Sequence, residues 1–276
     1  MKEKILILVK TYPAISKKYF ELVCTAGVNE RGEWRRIYPI PFRNLPEIEK
    51  YKKYSWVNVD IERNTSDPRP ESYKITPGTS IEILNESIGT SDKWRERKRI
   101  VLNQLELFND LELLISKAND DNELSLAVFK PNRIIDFIVE ETDREWSPEK
   151  VRLIDAKNEE MDWFDFDREI KIVDKLPYKF SYRFEDCNGK QSKLMIEDWE
   201  IGALYWKCLK MYGNEKDAVD GVIKKYKEEF LSYKDIYFFL GTQRLYHGWA
   251  SNPYVITGVF YPPKTEDEQP DWFDMF

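Results

Sequence analysis

The sequence predicts an α+β protein: a small N-terminal β-barrel with a helical extension, then a smaller α+β domain of a hairpin, two helices and two strands. Three observations predict it. Short runs rich in β-formers, parted by turn residues, crowd the stretch from Lys4 to Leu84. A segment of helical period follows, and the second half then alternates strand-like with helix-like patterns. With 276 residues the chain can bury the cores of two modest domains, and its 9 Trp, 16 Tyr and 15 Phe set it apart from disordered chains.

The apolar run Lys4–Lys10 reads as a buried strand that stops at Thr11-Tyr12-Pro13. Tyr19–Val28 and Glu33–Ile40 flank a turn at Asn29–Gly32 and read as a hairpin. Ser55–Glu62 alternates with period two, with Val57, Val59 and Ile61 on one face. Asn64–Glu71 is a loop, and Ser80–Leu84 is the fifth strand of the expected barrel. Trp94, Val101, Leu105, Phe108 and Leu111 then predict one helix over residues 93–117, capped by Ser91 or Asp92. Leu124–Phe129 and Arg133–Glu140 read as two further strands.

The acidic, aromatic stretch Asp155–Asp167 lacks periodicity and sets the expected boundary: a first domain over residues 1–150, a linker over 151–176, a second domain over 177–263 and a tail over 264–276. In the second domain, Tyr178–Phe184 and Lys193–Ile196 form a hairpin around Asn188-Gly189. A helix from Asp198 ends at Gly213, and Asn214 caps a second helix reaching about Leu231. Ile236–Leu240 and Tyr254–Tyr261 are the last two strands.

No run approaches the roughly 18 apolar residues of a membrane helix, so no membrane association is expected. Cys24, Cys187 and Cys208 are odd in number without a CxxC spacing, and His247 is the one histidine. Neither a disulfide framework nor a zinc site is expected, and no cofactor. The Met1 start is not a signal peptide, and a reduced cytoplasm is the expected setting. The net charge of −7 hides an asymmetry: residues 1–100 carry 20 Lys and Arg against 14 Asp and Glu. The N-terminal third is therefore basic and the remainder acidic.

Five groups of residues carry candidate chemistry. The first is aromatic and basic: Lys10, Tyr12, Lys17, Lys18, Tyr19, Trp34, Arg35, Arg36, Tyr38, Arg43 and Trp56. Single-stranded nucleic acid is held by bases stacked on rings while Lys and Arg neutralise phosphates. Alternation puts Trp34 and Arg36 on one face of their strand and Arg35 and Ile37 on the other. The competing reading is an aromatic barrel core with a solvated basic rim. The basic start of the long helix, Lys93-Trp94-Arg95-Glu96-Arg97-Lys98-Arg99, is the second group, with Arg95 and Arg99 as its candidate contacts, for phosphate or for pairing with Glu and Asp. The third is Glu197, Asp198 and Glu200 at a strand-to-helix junction, either metal-holding catalytic carboxylates or ordinary helix capping. The fourth, Phe239–Thr242 with Val259–Pro263, holds a lone glycine and no phosphate loop; the nearby His247 reads as a loop histidine. The fifth is the acidic-aromatic tail, where Asp271, Trp272, Phe273 and Phe276 are candidate contacts for a protein partner.

Lys10–Pro13, Lys18–Gly27 and Trp34–Pro39 together resemble uncharacterised prokaryotic proteins of mobile-element and antiphage-defence neighbourhoods. Asp198-Trp199-Glu200 and Gly258–Pro263 extend that likeness into the second half. The pattern Val-Cys-x-Ala-Gly, turn, Gly-x-Trp-x-Arg also resembles the start of dual OB-containing domain proteins. The resemblance implies an OB-like barrel and a nucleic-acid context, and it supplies no catalytic residues. It further implies a zinc knuckle at the hairpin, of whose Cys/His pairs only Cys187 is present here. The expected function is a non-enzymatic accessory protein that binds single-stranded nucleic acid or nucleotides, in defence or DNA processing. The alternatives are a metal-dependent enzyme on nucleotides or nucleic acid, and a protein-interaction subunit docking through its tail.

Overall fold

The computed structural model describes residues 1–16, 20–149, 151–152 and 173–264. Seven strands come first: β1 (Lys2–Lys10), β2 (Ala14–Ser16), β3 (Phe20–Asn29), β4 (Trp34–Ile40), β5 (Ser55–Arg63), β6 (Ser72–Ile75) and β7 (Ile81–Ser87). Five of them close a barrel in the order β1-β3-β4-β6-β5 and back to β1. Its neighbours are antiparallel except β4 and β6, which run parallel. The fifth stave is thus Ser72–Ile75 and not the expected strand at 80–84, which forms part of β7 and pairs with β5 outside the ring. The polar loop before β6 explains the difference. Asn64 and Asp67 turn the chain back, with Asn64 N–H donating to the Ser72 carbonyl and Asp67 accepting from Arg69 N–H. That delivers a four-residue stave too short to show a period-two pattern.

Ile5, Ile7, Val23, Ile37, Val57, Val59 and Ile61 fill the barrel. Alternate residues point outward, and Leu6, Leu8, Ala26 and Val28 are as buried as the interior set. β1 is covered on both faces, which is why its sequence is a continuous apolar run. Gly27 permits the close approach of β3 to β1, since a Cβ there would lie 2.2 Å from the Leu6 carbonyl oxygen.

The expected helix over 93–117 is two helices, α1 (Ser91–Asn103) and α2 (Leu111–Asn119), parted by the short strand β8 (Leu107–Phe108). Asp110 starts the second helix by accepting from Leu113 N–H. The apolar spacing runs through the break because its two ends serve different cores: Val101 and Leu105 face the barrel, while Phe108 and Leu111 face away from it.

The remaining strands are β9 (Leu126–Phe129), β10 (Arg133–Glu141), β11 (Tyr178–Glu185), β12 (Gln191–Met195), β13 (Tyr237–Thr242) and β14 (Tyr254–Phe260). They form a three-stranded sheet β10-β11-β12 and a four-stranded sheet β14-β13-β9-β8. β9 and β10, which the composition shift near 155–167 places in the first domain, pair instead with β13 and β11. The barrel ring closes on itself, so these strands find partners in the second half. Helix α3 (Trp199–Tyr212) is capped by Asp198 and ends on Gly213 in the left-handed region (φ 75°). Helix α4 (Glu215–Ile223) starts on Asn214 and continues through a π-helical stretch, Lys224–Glu229, into α5 (Phe230–Tyr233).

The four-stranded sheet is the hinge of the architecture. Leu126, Val128, Tyr237 and Phe239 pack on the outside of the barrel, whereas Ala127, Phe129, Phe238 and Leu240 face the helices and the other sheet. Two cores therefore share one sheet, and the second half lies across the outer face of β1, β3 and β4. Among the described residues no helix is long and apolar enough to cross a membrane.

Candidate functional site

Where the second half crosses the barrel, a cleft of about 610 Å³ stays open. Its barrel wall comes from three places: Thr11–Ala14 after β1, the outward residues Leu22, Cys24, Arg36 and Tyr38 of β3 and β4, and Arg69 in the β5–β6 loop. The facing wall carries Trp146, Lys175, Tyr178 and Lys179, then Glu197, and finally Thr242, Gln243 and Arg244 at the end of β13. The strand-to-helix junction joins the walls: Tyr12 N–H donates to the Glu197 carbonyl at 2.7 Å, and Glu197 N–H to the Ile256 carbonyl at 2.8 Å.

The rings are held in place. Tyr12 donates to the Asp174 carbonyl (2.9 Å) and accepts from Trp206 Nε1 (2.7 Å). Its ring lies so close to α3 that a Cβ on Gly202 would come within 2.3 Å of it. Trp146 Nε1 donates to the Val173 carbonyl, and Tyr178 donates to Glu215.

At the floor, Arg36 is 2% exposed. Its Nη2 donates to the Ser125 carbonyl (2.9 Å) and hydroxyl (3.0 Å), and Ser125 in turn donates to Glu71. Its Nη1 meets Cys24 Sγ at 3.5 Å. Burial, followed by the nearby Arg69 charge, acts against the Arg36 cation. Arg69 itself forks onto Asp67 and donates to the Thr242 carbonyl. Burial disfavours an ionised Asp67, but hydrogen bonds from Arg69 and Ser72 outweigh it and hold that carboxyl down at about 2. Among the described residues two buried polar atoms of the lining have no partner, Arg36 Nε and Thr242 Oγ1. Buried polar atoms are satisfied in most folds, so such a pair in a cleft marks where a ligand can bond.

Arg36, Arg69, Lys175, Lys179 and Arg244 face one lining carboxylate, Glu197. Burial raises the Glu197 carboxyl above its usual range, partly offset by the bond it accepts from Gln243 Nε2 at 2.7 Å. A raised carboxyl costs stability once ionised, from the ordinary carboxylate range upward. Glu197→Gln is therefore expected to raise the melting temperature at neutral pH, a gain that vanishes as the pH falls below that range. Thermal unfolding between pH 4 and 7.5 checks this; a variant less stable than the parent at neutral pH contradicts it.

The cleft unites only part of the expected nucleic-acid set: Tyr12, Arg36 and Tyr38. Trp34 packs edge-on against Phe239 at 6.1 Å and borders a separate groove with Arg35. Trp56 is half-buried, with Lys4 Nζ 5.1 Å from its ring. Arg43 is exposed on a short 3-10 turn, and Lys10 lines another cavity. Arg95 and Arg99 pair with Asp92 and Glu96, which is the intrachain alternative. The single groove therefore does not form: Trp34 packs against the second half, Arg95 and Arg99 pair within α1, and Trp56 and Arg43 lie apart from the cleft. Lys18 and the tail residues Asp271, Trp272, Phe273 and Phe276 lie outside the described residues.

The three carboxylates of the junction do not converge either. Asp198 is fully buried, caps α3 and accepts from Lys53 Nζ at 2.7 Å and from Val259 N–H at 3.2 Å. Glu200 points to Lys53 at 3.3 Å, and Glu197 to Gln243. Among the described residues no group of three His, Cys, Asp or Glu side chains is placed to hold a metal. His247 bonds Asn122 in a turn.

Most of the cleft escaped the sequence reading: Cys24, Arg69, Trp146, Lys175, Tyr178, Lys179, Thr242 and Arg244. Period two already aligns Leu22 with Cys24 and Arg36 with Tyr38. Nothing in the order of residues ties these to Thr242–Arg244, which only the packing of β13 against the barrel brings near.

No curated protein matches the chain. Residues 1–103 match the profile of a domain of unknown function, DUF8758. The junction between the two profiles falls just after α1, where the barrel half gives way to the sheets of the second half. Residues 108–276 match a second domain of unknown function, and the chain thus belongs to the DUF8757 family.

Proposed function

We propose that the chain is a nucleic-acid-binding accessory protein whose cleft takes one nucleotide unit, either free or as part of a single strand. One observation carries the reading. The ring order, with its single parallel pair, fits an OB-like barrel, and in OB-folds ligands lie on the second and third strands between the first–second and fourth–fifth loops. The barrel wall of the cleft is that face: β3, β4, the loop after β1 and the β5–β6 loop. The second half covers the rest of it, so an open strand-binding groove becomes a pocket of nucleotide size.

The chemistry of the walls supports the same ligand. Tyr12, Tyr38, Trp146 and Tyr178 offer rings to a base, and the excess of Lys and Arg suits a phosphate. Arg36 Nε as donor, and Thr242 Oγ1 as donor or acceptor, suit the polar edge of a base or sugar. The three cysteines are all free thiols, in keeping with a reducing cytoplasm.

Fluorescence titration with a short oligothymidylate and with a mononucleotide tests the proposal at low salt. Binding is expected for both, weakening with salt. Tyr38→Ala is expected to lose about tenfold in affinity, in line with the roughly 1–3 kcal/mol of one stacked base. No binding of either ligand at low salt would overturn the proposal.

A further inference from the structure

A second cavity, of about 290 Å³, is lined by Trp199 among others and shares no lining residue with the cleft. Cations from three separate segments converge on it: Lys10 at the end of β1, Lys52 and Lys53 before β5, and Arg97 on α1. Lys53 is accounted for. Its ammonium lies 2.7 Å from Asp198 and 3.3 Å from Glu200; burial disfavours its charge, but these carboxylates more than compensate and keep it protonated.

The others are not answered in this way. Lys10 Nζ lies 4.1 Å from the centre of the Phe42 ring and 4.4 Å from that of Trp199, and among the described residues it has no hydrogen-bond acceptor. Arg97 lies over Tyr54, its Cζ 3.7 Å from the ring centre, and donates from Nε to the Ile88 carbonyl, with no acceptor for its Nη groups among the described residues. Lys52 is exposed at the rim. Counting Asp198 and Glu200 as ionised, the cavity keeps a net positive charge of about two. The backbone leading to Arg97 is strained: Asp92, Lys93 and Trp94 all have positive φ (51°, 48° and 64°), a turn that sets Trp94 against Phe260 and Tyr261 as one wall. Consecutive left-handed residues that are not glycine persist only where the surroundings enforce them, and they gather at ligand sites.

We propose that this cavity is a phosphate-binding site separate from the cleft, in which Lys10, Lys52 and Arg97 hold a small oxyanion of the size of phosphate or pyrophosphate. Like charges in excess of their counter-charges are stabilised by a dianion, and the volume is below that of ordinary organic-ligand pockets. The same chemistry fits a free pyrophosphate or the terminal phosphate of a nucleic acid. The inference does not depend on the function proposed for the cleft.

Calorimetric titration of the full chain with inorganic pyrophosphate at low salt tests it. Binding is expected, weakened at least tenfold in Lys10→Met and in Arg97→Met, and less than twofold in Tyr38→Ala. Lys52→Ala, at an exposed position that leaves the core untouched, is expected to weaken binding severalfold, and it serves if either of the half-buried variants misfolds. A 5′-phosphorylated oligonucleotide binding more tightly than its unphosphorylated form only while Lys10 is present assigns the phosphate to nucleic acid; equal binding of the two forms assigns it to the free anion. The pH dependence is a second readout. Burial first, then the charge of Lys53, lowers Lys10 to about 8, with Asp198 and Glu200 opposing. Sulfate, whose charge is constant in this range, should therefore bind less tightly as the pH rises through about 8 in the parent, but not in Lys10→Met. Tyr54 and Tyr261 also face the cavity, and burial moves both upward, away from that range. Absence of pyrophosphate binding, equal affinity in parent and Lys10→Met, or an equal loss in Tyr38→Ala would overturn the proposal.

Discussion

Asp198→Ala is expected to destabilise the fold by about 3 kcal/mol, the lower end of the cost of breaking a buried ion pair, because the buried Lys53 ammonium then keeps only the more exposed Glu200 as a counter-charge. The carboxylate is fully buried, and it answers Lys53 Nζ, whose side chain is 7% exposed. The same side chain accepts from Glu200 N–H to cap α3, a role worth a further ~1 kcal/mol. It also accepts from Val259 N–H, tying the barrel's Lys53 to β14 through α3. Urea unfolding of the variant measures the loss. Lys53→Met combined with Asp198→Ala should recover a large part of it, because no bare ammonium then remains inside. A loss under about 1 kcal/mol in the single variant would show that the pair is not what joins the two halves.

Arg36→Ala should have the next largest effect, about 2–4 kcal/mol, from the lost charge-assisted hydrogen bonds to Ser125 and the cavity left in a buried floor. Arg36 reaches from β4 to Ser125 of the second half, which in turn donates to Glu71 just before β6, a relay of hydrogen bonds across the two halves. Truncation removes the charged donor from the Ser125 carbonyl and hydroxyl and empties the floor, while Glu71 keeps its two bonds from Ser125. Arg36→Lys keeps the charge but not the planar fork, so it should lose the paired bonds to Ser125 and part of the ligand affinity while retaining more stability. Unfolding midpoints and oligothymidylate titration of the two variants separate these roles. If Arg36→Lys binds as tightly as the parent, the guanidinium does not contact the ligand.

The barrel was largely legible in the residues because its strands obey simple periods. Val57, Val59 and Ile61 alternate as a half-buried stave should, and the run through Ile5–Val9 announces a strand covered on both sides. Caps were equally legible: Asp198, Gly213 and Asn214 stand where α3 and α4 start and stop. What stayed hidden depends on distant partners. β6 is defined by the turn at Asn64–Arg69 and by parallel pairing to β4, and four residues cannot advertise that. The break between α1 and α2 is masked because both of its sides are apolar, each toward its own core. The same holds for the cleft. Tyr12, Arg36 and Tyr38 were identifiable from type and alternation, whereas Thr242 and Arg244 join them only because Phe239 and Tyr237 seat β13 on the barrel. The basic charge of the N-terminal third proved a poor guide to exposure. Arg35 pairs with Glu3, Arg36 with Ser125 and Arg69 with Asp67, so part of that charge is spent inside the fold.

The central claim is that ligand enters the covered face of the barrel rather than its open flank. Photocrosslinking addresses it most directly: an oligonucleotide carrying 5-iodouracil is irradiated with the full chain, and the adducts are mapped by mass spectrometry. Adducts on Tyr12, Tyr38, Trp146 or Tyr178 are predicted, with loss of crosslinking in Tyr38→Ala. Adducts confined to Trp56 or Trp34, or unchanged by Tyr38→Ala, would contradict it.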